Sequence, residues 1–309
     1  MNHLLKSAAV VAAMGCGSLS MAAEPLVDID WIKAHSCDEG VRVLDIRNPI
    51  DGGSRTMYLQ GHIPCAVYTD YLAGGWRTMV DGVPGQLSKP EDLAAMIGTL
   101  GIDNDTHVVI YHHGKSAVDM GSSTRMYWTF KFLGHDNVSI LNGGYLAYAS
   151  DTANTIEKGN NKPEARTFTP NLRTELRATK EDVKMAIDNE GTTLVDMRPN
   201  HQFVGINRHP KSTRSGTIPT ARSLPESWLT VNGGGAFRTV AELRQLYALA
   251  EVDPESTQIA FCNTGHWASL GWFVSSELLG NANTTLYDGS MVEWTADESM
   301  PMVQTISLQ

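Results

Sequence analysis

Short apolar runs alternate along the chain with segments of helical spacing, and glycine, proline or asparagine separates them. In the first half, apolar runs predict strands over 41–45, 106–111 and 138–141, and 31–34 reads as a short helical turn. Ser88-Lys89-Pro90-Glu91 predicts a helix start, with Ser88 as cap, an early proline and a first-turn carboxylate; Gly101 ends it. A further helix is expected over 123–133, closed by Gly134. The polar, helix-breaking stretch 158–164 then interrupts the pattern, which resumes with a helix over 179–187 and a strand over 192–196. Thr239-Val240-Ala241-Glu242 is a capping box opening a helix, and strand 259–261, helix 267–279 and strand 285–287 follow.

The second half repeats the first in its side chains as well. Leu44-Asp45-Ile46-Arg47 matches Val195-Asp196-Met197-Arg198, and Gly61-His62-Ile63-Pro64 matches Gly216-Thr217-Ile218-Pro219. Leu141-Asn142-Gly143-Gly144-Tyr145 matches Tyr287-Asp288-Gly289-Ser290-Met291. Three landmarks in one order imply a duplicated α/β domain, each copy a parallel sheet with helices on both faces. The expected division is 1–23 as leader, 24–157 as first domain, 158–175 as linker and 176–309 as second domain. At 309 residues the chain is long for one domain and comfortable for two.

Composition narrows the function. With 42% hydrophobic and 19% charged residues the chain can fill its cores and is not a disordered one. A formal net charge of -10 excludes a general nucleic-acid binder, which needs a basic face. Lys6, the apolar stretch 8–19 and Ser20-Met21-Ala22-Ala23 form a secretory leader with a small-residue cleavage site, so export to a periplasmic or extracellular space is expected, with a mature start near Glu24. Gly15-Cys16 also resembles a lipoprotein signal with Cys16 lipidated, although Ala13 stands where such signals favour a larger aliphatic residue. No later stretch is long and apolar enough to span a membrane. Export leaves Cys37, Cys65 and Cys262, an odd number in an oxidising compartment. Cys37 and Cys65 share a half, so one arrangement the count allows pairs them and leaves Cys262 free; sequence sets no separation between them.

Candidate chemistry gathers at Cys262, which follows a strand and precedes the loop Asn263-Thr264-Gly265-His266-Trp267 and a helix. Backbone N–H groups of that loop and of the first helical turn are expected to face the sulfur and favour thiolate. A small buried hydrophobe is the alternative reading of a lone cysteine. Duplication supplies a control: the equivalent position in the first half is His112, so the fold itself does not require cysteine there. His112-His113 reads as a loop pair rather than a metal site, since sequence neighbours rarely ligate one ion and no Cys or His cluster supports them.

Gly61-His62-Ile63-Pro64, the loop from Cys262 to Trp267, and Tyr287-Asp288-Gly289-Ser290-Met291-Val292-Glu293-Trp294 resemble the tandem-domain rhodanese and mercaptopyruvate sulfurtransferases over essentially the whole mature length. The resemblance implies two rhodanese-like domains, the first catalytically silent and the second active, with Cys262 carrying sulfur as a persulfide and no metal or organic cofactor. Its implied partners are a small anionic sulfur donor, thiosulfate or mercaptopyruvate, and a thiophilic acceptor such as cyanide or a thiol. Asn263 and Thr264 are neutral where thiosulfate-using relatives carry cations; by spacing, Gln202 and Lys211 stand where mercaptopyruvate enzymes use two arginines. Thr264, His62 and Asp51 match that type's hydroxyl, histidine and carboxylate, and Trp267 replaces a small hydroxylated residue.

The basic run Arg208, His209, Lys211 and Arg214 reads as an anion-facing loop or as a solvated surface, and Arg198 as a substrate contact or, in preference, a structural ion pair. A phosphatase is excluded, because its loop needs an arginine where Ala268 stands. The remaining rival is a non-enzymatic exported carrier that passes sulfur to, or docks on, a redox or thiol protein, with Trp267 at the contact.

Overall fold

Each half of the chain builds a five-stranded sheet whose pairings are all parallel. The computed structural model describes residues 23–309 apart from Glu190, Ser307 and Gln309. Cys16 and the expected leader, except Ala23, lie outside the described residues, as does the Asp51 side chain.

The first half runs β1 (Leu26–Val27), α1 (Ile29–His35), β2 (Val41–Asp45), α2 (Arg55–Gln60), β3 (Val67–Tyr68), β4 (Arg77–Val80), β5 (Val83–Leu87), α3 (Pro90–Thr99), β6 (His107–Tyr111), α4 (Ala117–Phe132), β7 (Val138–Leu141) and α5 (Gly144–Ala149). The second runs β8 (Arg177–Ala178), α6 (Lys180–Ile187), β9 (Thr192–Asp196), α7 (Asn200–Phe203), β10 (Arg222–Ser223), α8 (Val240–Leu249), β11 (Thr257–Phe261), α9 (Ala268–Phe273), β12 (Thr284–Tyr287) and α10 (Ser290–Ala296). Sheet orders are β1-β7-β6-β2-β3 and β10-β9-β11-β12-β8, the same order once equivalent strands are matched. The expected pair of α/β domains, each a parallel sheet flanked by helices, is thus present. β4 and β5 form a separate antiparallel hairpin that the apolar pattern did not predict.

Three clusters fill the interior, and alternation along the strands explains why. Val43 and Val109 face one way into a core with Ile32 and Tyr148, while Leu194 and Ile259 face a core with Val183 and Trp294. Their neighbours Leu44, Ile110, Val195 and Ala260 face the other way, into one continuous core shared by both halves and threaded by α4 and α9. The two domains therefore dock through a common hydrophobic interior.

Three boundaries differ from expectation. α4 starts at Ala117 rather than 123, because Ser116 and Asp119 form a capping box. Gly121, Ser122 and Ser123 are buried helix, and Gly121 admits the second domain: a Cβ on it would lie 2.7 Å from His266 Nε2. Lys89, not Ser88, occupies the cap of α3, with Pro90 in the first turn. The helix expected over 267–279 is α9 followed by a π-turn, Val274–Leu278, which the Leu279 N–H closes onto the Val274 carbonyl at 2.8 Å.

Docking is reciprocal. The Leu87 N–H, ending β5, donates to Asp288 Oδ2 of the second domain at 2.8 Å. At the matching place, the Phe237 N–H donates to Asn142 Oδ1 of the first domain at 2.9 Å. The Gly235 carbonyl accepts from the Gly143 N–H and from His112 Nε2, each at 3.0 Å. A Cβ on Gly235 would lie 2.4 Å from the Gly114 backbone, which has no side chain to move aside. Gly235→Ala is expected to cost roughly 1–3 kcal/mol by overpacking, measured as a lower denaturant midpoint. Gly40→Ala, with nothing within 4 Å of its added Cβ, serves as the control, and equal midpoints for the two would contradict tight docking here.

Candidate active site

Cys262 follows β11, at the carboxyl end of the sheet, and begins the turn that leads into α9. It is the free cysteine among the described residues, since Cys37 and Cys65 form a disulfide with Cα atoms 5.3 Å apart. The pairing that the cysteine count allowed is therefore the one found. Cys262 is 1% exposed, while Thr264 and Trp267 beside it are half-buried.

Every carbonyl of the turn is held by a donor outside it. Met291 and Val292 N–H groups reach the Cys262 and Asn263 carbonyls at 3.0 and 3.1 Å. Arg77 Nη2 donates to the Thr264 carbonyl at 2.5 Å and Arg125 Nη1 to the Gly265 carbonyl at 3.1 Å. Ser269 Oγ donates to the His266 carbonyl at 2.6 Å, and the Leu270 N–H reaches that of Trp267 at 3.0 Å. Of the N–H groups, those of Cys262 and Gly265 share Ser290 Oγ at 3.0 and 3.2 Å. Those of Asn263, Thr264, His266 and Trp267 have no acceptor among the described residues. A turn whose carbonyls all bind donors outside it, with successive unpaired N–H groups, has the makings of an anion nest beginning at Cys262.

The first domain supplies two of those six carbonyl donors. Arg125, buried on α4, also binds Asp288 Oδ1 at 2.6 Å and lies over the Trp128 ring. Gly265 must be glycine: its φ is +71°, and a Cβ would meet Arg125 Nη1 at 2.3 Å. His266 Nε2 lies 2.7 Å from the Val118 carbonyl, which only accepts, so Nε2 carries the proton. Nδ1 therefore accepts from the Tyr71 hydroxyl at 2.8 Å, and Arg77 Nη1 donates to that hydroxyl at 3.2 Å. Burial first, then the Arg77 charge, pushes His266 down to about 3.

Above the turn, a groove of about 440 Å³ is lined by Thr264, by Leu72 and the hairpin residues Arg77, Met79 and Pro84, and by His209 and Lys211. A larger groove, about 660 Å³, lies at the β8 side, between α6 and the sheet, and none of its lining residues belongs to the 262–267 turn. His209 is held below its ordinary value by burial and by the neighbouring Lys211 ammonium.

A family description, Rhodanese-like domain, matches residues 28–151 and 179–297. The chain belongs to this family. A Thermus thermophilus relative named sulfur carrier protein TtuD is 31% identical over 282 residues, 88% of this chain and 93% of its own length. The Bos taurus thiosulfate sulfurtransferase is 30% identical over 280 residues, 87% of this chain and 91% of its own. The crystal structure of SseA from Escherichia coli, described as a 3-mercaptopyruvate sulfotransferase, superposes with a TM-score of 0.75 at 27% identity, covering 87% of this chain and 99% of that one.

In this rhodanese-like protein the expected site residues separate into two groups. Gln202 reaches the turn, its Oε1 accepting from Asn263 Nδ2 at 3.0 Å, and Lys211 lines the groove. Arg214 instead caps α10 and the segment after it, donating to the carbonyls of Trp294, Thr295, Asp297 and Met300. Arg198 is buried against Asp196 and the Gly216 carbonyl, and Arg47 repeats that arrangement on Asp45 and Gly61 in the first half, so this pair belongs to the architecture. Arg208 Nε holds the Ser212 carbonyl at 3.0 Å. His62 is fully buried, stacked on Tyr58; its Nδ1 donates to the Tyr58 carbonyl at 2.8 Å, and Asn161 Nδ2 lies 3.3 Å from Nε2. None of these His62 partners belongs to the 262–267 turn. Trp267 packs on the shared core, and its Nε1 is buried without an acceptor among the described residues.

Arg77, Tyr71, Arg125 and Ser290 escaped the sequence reading. Only Ser290 carried a signal, since its counterpart in the repeat is Gly144. Because the folded pKa of His266 lies below the unfolded 6.5, the unfolded chain takes up a proton first as pH falls from 6.5 toward 3. Stability is lost across that window, by up to about 1.4 kcal/mol per pH unit. In nitrogen NMR the His266 ring is expected to remain the neutral Nε2–H form at pH 5. Titration near 6.5 would contradict the Tyr71–His266–Val118 chain.

Proposed function

We propose that this sulfurtransferase moves a sulfane sulfur from thiosulfate or mercaptopyruvate to a thiophilic acceptor, cyanide or a thiol, through a Cys262 persulfide. The observation that carries the reading is a free cysteine at the head of a turn whose carbonyls all bind outward.

With thiosulfate, the Cys262 thiolate attacks the outer sulfur, a new S–S bond forms, and the donor's S–S bond breaks to release sulfite with its electron pair. With mercaptopyruvate the C–S bond breaks, and the pyruvate carbanion takes a proton. Either way Cys262 is left as a persulfide anion, which the unpaired N–H groups of Asn263, Thr264, His266 and Trp267 stabilise. Attack by cyanide on the outer sulfur gives thiocyanate and restores the thiolate. Arg77 and Lys211 line the groove beside Thr264 and suit an anionic donor. Lys211 offers a point charge rather than a planar fork for a carboxylate, which favours thiosulfate of the two. In the first domain His112 replaces the nucleophile and is closed over by Gly235, which supports a silent role for that half.

A second reading, a carrier that loads sulfur and delivers it only to a thiol or redox protein, is favoured by the Thermus thermophilus relative's name. Export to an oxidising compartment is proposed as well, on the support of the Cys37–Cys65 disulfide.

The test incubates the protein with thiosulfate, or mercaptopyruvate, plus cyanide and follows thiocyanate. Turnover is expected, falling to background in Cys262→Ser. Gain of one sulfur atom on Cys262 by intact mass without thiocyanate favours the carrier, and no gain with either donor rejects both readings.

A further inference from the structure

The hairpin β4–β5 exists because Asp81-Gly82 forms its turn with both residues at positive φ, 49° and 82°, the conformation that two-residue hairpins need. Its first residue, Arg77, crosses the domain boundary. Nε donates to the Gly85 carbonyl at 2.8 Å, Nη1 to the Tyr71 hydroxyl at 3.2 Å and Nη2 to the Thr264 carbonyl at 2.5 Å. Glycine at 85 makes room for this, since a Cβ there would lie 2.1 Å from Nη2. A guanidinium fork is thus fixed by its own hairpin and aimed at the turn of the other domain.

We propose that Arg77 is a positioning residue for the sulfur-carrying turn, setting the orientation of its N–H groups through the Thr264 carbonyl and, by way of Tyr71, through the His266 ring. The inference rests on the persulfide reading above and assigns a working part in it to the silent domain. The peptide unit between Thr264 and Gly265 is planar, so holding its two ends fixes its rotation. Arg77 holds the oxygen end and Ser290 Oγ the N–H end at 3.2 Å. That rotation sets ψ of Thr264, and with it the angle to the preceding peptide unit that carries the Thr264 N–H and whose Asn263 carbonyl the Val292 N–H holds, and it places Gly265 in its left-handed conformation on the other side. The buried Tyr71 hydroxyl then fixes the His266 ring, and with it the adjoining peptide, against the Val118 carbonyl. Loss of Arg77 frees the Thr264 carbonyl and removes one partner of the Tyr71 hydroxyl at once, and a displacement on the order of 1 Å in such a site lowers rates by up to ~100-fold.

A simple interdomain tether and a simple attractor of anions are the competing roles, and three variants separate them. The measurement is the single-turnover rate of sulfur loading onto Cys262 by intact mass, over a range of thiosulfate concentrations. Arg77→Met is expected to lower the saturating rate by about 10- to 100-fold, with a smaller change in the half-saturating concentration. Arg77→Lys keeps the charge without the fork and is expected to restore half-saturation but not the rate. Tyr71→Phe, which removes only the hydroxyl, is expected to give an intermediate loss, and millimolar guanidinium ion to recover part of the rate in Arg77→Met. Should Arg77→Met fail to fold, Arg77→Lys and Tyr71→Phe give the same readout.

Variants that load at the wild-type saturating rate with only lower melting temperatures make Arg77 a tether, and a change confined to half-saturation makes it an attractor. Either result overturns the inference and leaves the persulfide reading intact. A wild-type protein that takes up no sulfur overturns both.

Discussion

One constraint governs the second domain's active turn: six consecutive carbonyls, from Cys262 to Trp267, are each tied to a donor. Carbonyl oxygens near a thiolate or persulfide would repel it, so turning all of them away is a precondition for sulfur chemistry. The donors come from several directions. α10 supplies two backbone N–H groups, α9 supplies Ser269 and the Leu270 N–H, and the first domain supplies two arginines. An isolated second domain would lose the Arg77 and Arg125 bonds, leaving the Thr264 and Gly265 carbonyls free to swing.

Duplication explains how the first domain, with His112 where the second has Cys262, still helps to build the Cys262 turn. Each half places an element before its third helix against the other half's turn at 262 or 112. The first offers the hairpin β4–β5 to Thr264, and the second offers the stretch around Gly235 to His112. Aspartate and asparagine at matching positions, 288 and 142, receive matching N–H groups. The docking mode is thus symmetric while the two turns differ. The second half's turn meets a groove with Arg77 and Lys211 beside it, whereas the first half's turn is capped by a backbone carbonyl.

Much of this was legible along the chain because parallel strands and their helices leave a local signature, as at Val41–Asp45 and Thr192–Asp196. The replacement of Cys262 by His112 in the repeat singled out Cys262 as the candidate nucleophile. Local reasoning failed where tertiary contact sets the residue type. Gly121-Ser122 fell outside the expected helix, yet both lie inside α4, and the second domain packs on Gly121. Arg214 looked anion-facing from the charge run around it, but four carbonyls at the end of α10 claim its guanidinium. Arg77 and Arg125 were invisible for the converse reason, since their partners lie more than a hundred residues away in sequence.

The central claim is that a sulfur anion on Cys262 is held by specific main-chain N–H groups, and the most direct measurement is amide NMR of the protein before and after sulfur loading. Resonances of Asn263, Thr264, His266 and Trp267 are expected to move downfield together on loading. Those of Cys262 and Gly265, already bound to Ser290, are expected to move least. Loading that leaves the four resonances in place, or that chiefly shifts the Cys262 and Gly265 amides, would contradict the account.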